Sequence, residues 1–125
     1  MVIGIFLLTA GIAVAVDETA SISWEQPCVD GCTGFGAVQG WHIYMSDISG
    51  SYGATPIIIM PYDGTATPTY TSTYVLTLTG AGTKYFIIRA FNTNGESGNS
   101  NEATYDYNFL TPNTPVNLIF TIQSP

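Results

Sequence analysis

The two cysteines of this chain are its clearest candidates for covalent chemistry. Cys28 and Cys32 lie in the segment PCVDGCTG, where the turn residues between them can bring the two Cβ atoms together. A small-loop disulfide is therefore the favoured interpretation. Half of a metal site is the alternative, but the spacing is wider than C-x-x-C, and His42, the single histidine, offers no second half. We predict a Cys28–Cys32 disulfide and neither a metal nor a cofactor.

Catalytic arrangements are poorly supported. His42 is followed by Ser46 and Asp47, but neighbouring residues on a strand alternate between its faces, and no nucleophile motif surrounds them. The acidic residues are scattered over predicted loops and form neither an EF-hand spacing nor a recognisable carboxylate pair. We expect that the protein is not an enzyme.

The charge balance limits the partners. Nine acidic residues stand against only Lys84 and Arg89, which gives a net charge of −7. Such a chain repels a phosphate backbone and lacks the Lys and Arg clusters that bind anionic lipid headgroups. We therefore predict no nucleic acid partner, and contact with a membrane at most transiently during export.

Length and composition predict one all-β domain with additional N-terminal and C-terminal segments. The 125 residues are enough for a single core, and only 9% are charged, against roughly 25% in ordinary soluble chains. Thr, Ser, Asn, Gly and Tyr supply the polarity instead, and these residue types favour strands and turns over helices.

The N-terminal segment, residues 1–16, begins with the apolar stretch MVIGIFLLTAGIAVA. This stretch is short for a membrane span and ends in Ala13-Val14-Ala15, a pattern that suits signal peptidase. However, no Lys or Arg precedes Lys84, so the basic start of a signal peptide is missing. A cleaved signal peptide and a retained assembly segment both remain open. An extracellular or cell-surface location is expected.

The predicted strands follow from alternating hydrophobicity. In TASISW, the residues Ala20, Ile22 and Trp24 share one face, which indicates a half-buried strand with Trp24 pointing inward. Strands are also predicted at 41–45, 57–60, 74–79, 84–91 and 103–109. Short strands separated by turn residues, without a helical pattern, indicate a sandwich or a small barrel.

Three stretches resemble a fibronectin type III domain of the bacterial or phage extracellular type: SISWEQP, GWHIYMSDISGSYG and LTGAGTKYFIIRAFNTNGESGNSNEA. The resemblance covers residues 19–107. It implies a fibronectin type III or immunoglobulin-like β-sandwich of about seven antiparallel strands over residues 17–110, with a hairpin at 92–99. Two features depart from the family: Lys84 falls at the corner tyrosine position, and the first strand of the family is missing before Trp24.

The missing first strand resembles the C-terminal segment, residues 111–125. Its TPNTPVNL stretch matches the entry to the family's domain, and Val116, Leu118, Phe120 and Ile122 alternate after it. A sandwich without its first strand exposes an edge and a strip of core. The displaced strand could fill its own domain, begin a second domain, or insert into the next copy of the chain.

A second apolar surface is predicted on the outer face of the 84–91 strand. The resemblance places Tyr85, Ile87 and Phe91 outward beside Tyr44, which suggests that a partner or a terminal segment covers them. Exposed cross-strand pairs are the alternative. The predicted assembly interface therefore comprises Ile3, Ile5, Leu7, Tyr44, Tyr85, Ile87, Phe91, Val116, Leu118, Phe120 and Ile122.

Three functions remain open from the sequence, the third of which, an accessory domain appended to an enzyme, applies only if the chain is a fragment. The first is an extracellular structural protein that assembles with copies of itself, as the subunit of a pilus-like filament held by strand exchange or apolar termini. The second is a secreted monomeric adhesion module that binds a cell-surface carbohydrate or protein. Its candidate contacts would be aromatic loop residues, because such rings stack on sugars: Phe35, Tyr52, Tyr62 and Tyr70.

Overall fold

A computed structural model of the chain describes residues 15–27 and 37–124, and these residues form an all-β fold. The strands are β1 (Ala15–Trp24), β2 (Gly40–Ser46), β3 (Ile58–Pro61), β4 (Tyr70–Thr79), β5 (Ala81–Asn92), β6 (Gly95–Glu96) and β7 (Ala103–Asn108). The predicted fold class is confirmed. No helix long and apolar enough to cross a membrane occurs in these two ranges.

The strands form two antiparallel sheets. β1 pairs with β4 in one sheet, and the other sheet has the order β3-β2-β5-β6, with β7 pairing with the first half of β5. β6 completes the predicted hairpin, since Phe91 pairs with Glu96 and Asn92 with Gly95. The predicted strand at 74–79 is longer than expected and begins at Tyr70, so the Thr-rich stretch before it belongs to the sheet.

Strand β1 alternates as its sequence predicts. Its even-numbered residues are half-buried and its odd-numbered residues are exposed. All ten residues pair with β4, from Ala15 opposite Thr79 to Trp24 opposite Tyr70. Ala20, Ile22 and Trp24 therefore lie on the inner face, and the predicted orientation of Trp24 is confirmed by its packing against the core.

An aromatic cluster fills one end of the core. Trp41 is 1% exposed and packs against Tyr70, with ring centroids 4.5 Å apart, and against Trp24 at 5.4 Å. Its indole Nε1 donates a hydrogen bond to Gln26 Oε1 at 2.9 Å, so the buried donor is satisfied. Because the rings come from both sheets, this cluster joins the two layers.

Gly40 lies where three strands approach one another. A Cβ at this position would lie 2.5 Å from the carbonyl oxygen of Met60 and 2.7 Å from the ring of Phe91. We expect Gly40→Ala to lower the free energy of unfolding by about 1–3 kcal/mol, because the strands must separate to admit the methyl group. Urea denaturation measures the change. Gly53→Ala is the matched control, since nothing lies within 4 Å of its added Cβ, and an equal loss in both variants would contradict the explanation.

The outer face of β2 and β5 requires a correction to the predicted assembly interface. Tyr44 lies opposite Ile87, and the two are only 3% and 4% exposed within the single chain. Phe91 is half-buried and stacks on His42, with ring centroids 4.2 Å apart. This face is largely covered by the chain itself, so the prediction of Tyr44 and Ile87 as interface residues is wrong: they have almost no exposed surface to contact a partner. Tyr85 is half-buried and Phe91 is engaged with His42, and neither offers a broad contact surface.

The C-terminal tail, residues 109–124, differs from its predicted conformation. The strand predicted from Val116 to Ile122 is not formed, and residues 110–124 are all exposed. A strand needs a neighbouring edge for its backbone hydrogen bonds, and no described strand pairs with the tail. The three roles predicted for this segment remain predictions.

Candidate assembly groove

Two strand edges remain unpaired along one side of the molecule. β1 pairs with β4 on one side only, and β7 pairs with β5 on one side only, as far as residues 15–27 and 37–124 are concerned. An unpaired edge presents a row of N–H and C=O groups that can accept a further strand. We call the space between these two edges the open groove.

The open groove exposes part of the core. It contains two adjoining cavities of about 410 and 460 Å³, which share Ile22, Ser23, Phe86 and Ala103. The first cavity reaches Trp24, Ile43 and Ile88, and the second reaches Glu18, Leu76 and Tyr105. Most of these side chains are apolar, so water in the groove contacts surface that a closed sandwich would bury.

The cavity linings also give the relative direction of the two edges. The end of β1 around Trp24 shares a cavity with Ser100 and Asn101, which precede β7. The earlier part of β1, around Glu18, shares a cavity with Tyr105 farther along β7. β1 and β7 therefore run in opposite directions, and a strand between them must be parallel to one of them.

An aromatic ladder continues the β7 wall of the groove. Tyr105, Tyr107 and Phe109 stack in sequence, with ring centroids 6.1 and 6.0 Å apart. Tyr107 lies directly over Gly82, where an added Cβ would be 2.9 Å from the Tyr107 hydroxyl. This ladder was not predicted, although the period-two spacing of Tyr105, Tyr107 and Phe109 is visible in the sequence.

The tail carries the apolar side chains that the open groove lacks. Val116, Leu118, Phe120 and Ile122 are 77%, 94%, 86% and 78% exposed. Isolated exposed apolar residues are normal on proteins, but a run of this length is unusual and indicates an interaction segment. The four residues alternate, so they would share one face of an extended strand.

Asn117 interrupts the extended conformation of the tail. Its φ is 58°, in the left-handed region that Asn tolerates better than most residues. The tail must rotate at this residue before 116–122 can become a continuous strand.

Glu96 organises a polar network on the outer face, away from the groove. Its carboxylate accepts hydrogen bonds from Tyr44 and from Arg89 Nη1 at 3.1 Å, and it lies 2.5 Å from His42 Nδ1. Arg89 also stacks over the Tyr44 ring, 4.5 Å from its centroid. The hydrogen bonds from Tyr44 and His42 lower the pKa of Glu96 to about 2. Burial and Glu96 together raise the pKa of Tyr44.

This network predicts a pH-dependent stability. Because the folded pKa of Glu96 is depressed, the ionised carboxylate stabilises the fold fully above its unfolded pKa of about 4.5, and the contribution is lost as the pH falls through about 2. We expect Glu96→Gln to lower the free energy of unfolding at pH 7 by about 1–2 kcal/mol. The difference from the native chain should shrink between pH 4.5 and pH 2 (about the unfolded and folded pKa values).

Urea denaturation at several pH values measures this difference. Glu25→Gln is the control, because Glu25 is exposed and has no hydrogen bond to a described side chain. A difference between native and Glu96→Gln chains that does not change with pH would contradict the role of the ionised carboxylate.

A second carboxylate fixes the loop after β2. Glu102 accepts hydrogen bonds from Ser49 at 2.6 Å, from the Gly50 backbone at 2.9 Å and from Tyr52 at 2.5 Å. These bonds lower the pKa of Glu102, while burial and Glu102 raise the pKa of Tyr52. Both networks connect residues that are distant in sequence. Their hydrogen bonds hold loops and strands together, which is a structural role.

The aromatic contacts predicted for a binding module are mostly structural. Tyr70 is 8% exposed in the core, Tyr62 packs against Trp41 at 5.7 Å, and Tyr52 is bonded to Glu102. Phe35, the Cys28–Cys32 disulfide and the N-terminal Ile3, Ile5 and Leu7 lie outside the described residues. Across residues 15–27 and 37–124, no group of three or more His, Cys, Asp or Glu side chains could hold a metal ion.

Comparison with known proteins adds no relative. No protein-family model, no curated protein and no solved structure matches this chain.

Proposed function

We propose that this chain is an extracellular structural protein whose copies assemble into a pilus-like filament by strand exchange. The tail of one copy inserts into the open groove of the next and adds a strand there. Each chain then gives one strand and receives one. Such a contact joins two different surfaces, and repetition of it produces an open polymer rather than a closed dimer.

One observation carries this proposal: within residues 15–27 and 37–124, two unpaired edges flank a groove, and the tail of the same chain pairs with no strand. The groove offers two unpaired edges and an apolar floor. The tail offers four alternating apolar side chains, each at least 77% exposed. Every part needed for the exchange is therefore present in one subunit.

Burial of the apolar tail residues is the main source of free energy for assembly. Full burial of one large apolar side chain contributes about 1.5–3 kcal/mol. Four such side chains supply about 6–12 kcal/mol before the hydrogen bonds of the new strand, against an association cost of about 4–15 kcal/mol. The gain and the cost are of similar size, so the exchange requires that the four apolar residues enter the groove together and that the new strand forms its backbone hydrogen bonds.

The fold supports the same proposal. The order of the two sheets, with one strand missing beside β1, agrees with the fibronectin type III resemblance in which the first strand is displaced to the tail. We propose membership of that family on these grounds. The low content of charged residues, the abundance of Thr, Ser and Asn, and the apolar N-terminal segment support an exported location.

Negative-stain microscopy of native material, combined with intact mass, tests the function. Filaments of regular width that contain the full tail are the expected result. Monodisperse single particles at high protein concentration would overturn the proposal and favour the secreted adhesion module. The mass also shows whether residues 1–15 are retained in the assembled protein, which decides whether the N-terminal segment can contribute.

A further inference from the structure

We infer that the donated tail runs antiparallel to β1 and parallel to β7, and that in this direction only another copy of the chain can supply it. This inference rests on the proposed function and specifies the geometry of the exchange. It follows from the two unpaired edges, the direction of each, and the length of the chain between β7 and the tail strand.

The β1 edge is the better acceptor. β1 has ten residues and β7 has six, so β1 offers the longer row of backbone groups. Among the described residues, β1 also belongs to a sheet of two strands, and such sheets are marginal in water until a third strand joins. Antiparallel pairing is slightly more stable than parallel pairing. The tail strand therefore gains most by lying antiparallel to β1.

A chain cannot place its own tail in this direction. Phe109 N donates to Gly80 O at 2.7 Å, so the chain follows the direction of β7 as far as Phe109. Phe109 then lies near the start of β1. A tail that fills the apolar part of the groove from Trp24 to Ala20 places Val116 near the end of β1. This separation is about 30 Å at strand spacing, but the seven steps from residue 109 to 116 span at most about 25 Å.

The opposite direction is the one open to self-insertion. A tail that turned back after Phe109 and paired antiparallel to β7 would form a simple hairpin with its own chain, and would lie parallel to β1. The direction of the inserted strand therefore reports its source. Antiparallel to β1 means exchange between copies, and parallel to β1 is compatible with self-closure.

The polar residues of the tail suggest a register. If Leu118 lies opposite Trp24, then Phe120 faces Ile22 and Ile122 faces Ala20, which fills the groove where its walls are apolar. Gln123 and Ser124 then lie beside Thr19 and Glu18, so the Glu18 carboxylate in the groove wall meets polar neighbours. Residues of odd number, including Asn117 and Gln123, point outward.

Disulfide trapping between outward positions tests the direction. Four single variants of the full chain are needed: Thr19→Cys and Glu25→Cys on the acceptor, and Asn117→Cys and Gln123→Cys on the donor. Antiparallel pairing brings 117 to 25 and 123 to 19, whereas parallel pairing brings 117 to 19 and 123 to 25. Mixing an acceptor variant with a donor variant under mild oxidation traps only neighbouring strands.

Digestion identifies each link. Cleavage after Lys84 and Arg89 separates acceptor positions from donor positions, so a link joins peptides 1–84 and 90–125. A control mixture of each donor variant with the native chain measures any link to Cys28 or Cys32. We expect the yield of the 117–25 and 123–19 links to exceed the yield of the 117–19 and 123–25 links at least tenfold.

The outcomes separate the two proposals. Predominance of 117–19 and 123–25 links between copies would overturn the inferred direction while leaving strand exchange intact. No links between copies in any pairing, with assembly present, would overturn strand exchange through the tail. No assembly at all would overturn both.

Discussion

Leu118→Asp combined with Phe120→Asp is expected to abolish assembly. Both side chains are highly exposed in the single chain, at 94% and 86%, so the substitutions remove no contact of the folded subunit. In the filament they would lie against the apolar floor of the groove, where an unpaired carboxylate is costly to bury. Loss of two buried apolar side chains alone weakens association by about 3–6 kcal/mol, which is on the order of 10²–10⁴-fold in the dissociation constant.

Sedimentation velocity and negative-stain microscopy measure this loss. The matched control is Asn117→Asp combined with Thr121→Asp, which adds the same charge to the outward face of the same strand. This control should still form filaments. Equal loss of assembly in both variants would attribute the effect to charge repulsion rather than to the side chains in the groove, and the insertion would be contradicted. Unfolding curves of both variants should match that of the native chain at low concentration.

Filling the groove is expected to produce an equal loss from the opposite side of the contact. Ala20 is half-buried on the inner face of β1 and lines the groove. An indole at this position occupies the space that the tail side chains need, so Ala20→Trp should keep the subunit monomeric. Ala103→Trp blocks the other wall and serves as a second variant, since Ala103 is exposed. Thr73→Trp is the control that should still assemble, because Thr73 is exposed on the outer face of β4 and lines neither cavity.

Mixing the two classes of defective chain gives the sharpest result. A groove-filled chain retains a normal tail, and a tail-charged chain retains a normal groove. The mixture should therefore form one-to-one pairs that do not grow, whereas each chain alone stays monomeric. If the mixture remains monomeric, or if the groove-filled chain alone still forms filaments, then the tail and the groove are not the two halves of one contact.

Some of this architecture could be predicted from sequence because it depends on local periodicity. The alternation around Ile22 and Trp24 gave both the strand and its inner face, and the glycine-rich turns placed the boundaries of β2 and β5. The tail also resembles the first strand of a fibronectin type III domain, and this resemblance predicted strand exchange as one of its roles. These signals are local, since each depends on residues within a few positions of one another.

The parts that could not be predicted depend on contacts across the fold. Nothing in the sequence indicates that Glu96 would meet His42, Tyr44 and Arg89, because that meeting requires the pairing of β2 with β5 and the turn into β6. The burial of Tyr44 and Ile87 was missed for the same reason. The tail strand was predicted from its pattern, but a strand forms only when it pairs with an edge, and the pattern does not show whether that pairing occurs within the chain.

The two-stranded sheet has a consequence for the ends of any polymer. Inside a filament every β1 edge would be completed, but the subunit at one end would keep an empty groove and the subunit at the other end would keep a loose tail. The two ends are therefore chemically different. The end with the empty groove carries the sheet that is easiest to open, so proteases and amide hydrogen exchange should attack there first. Disassembly would then proceed from that end in one direction.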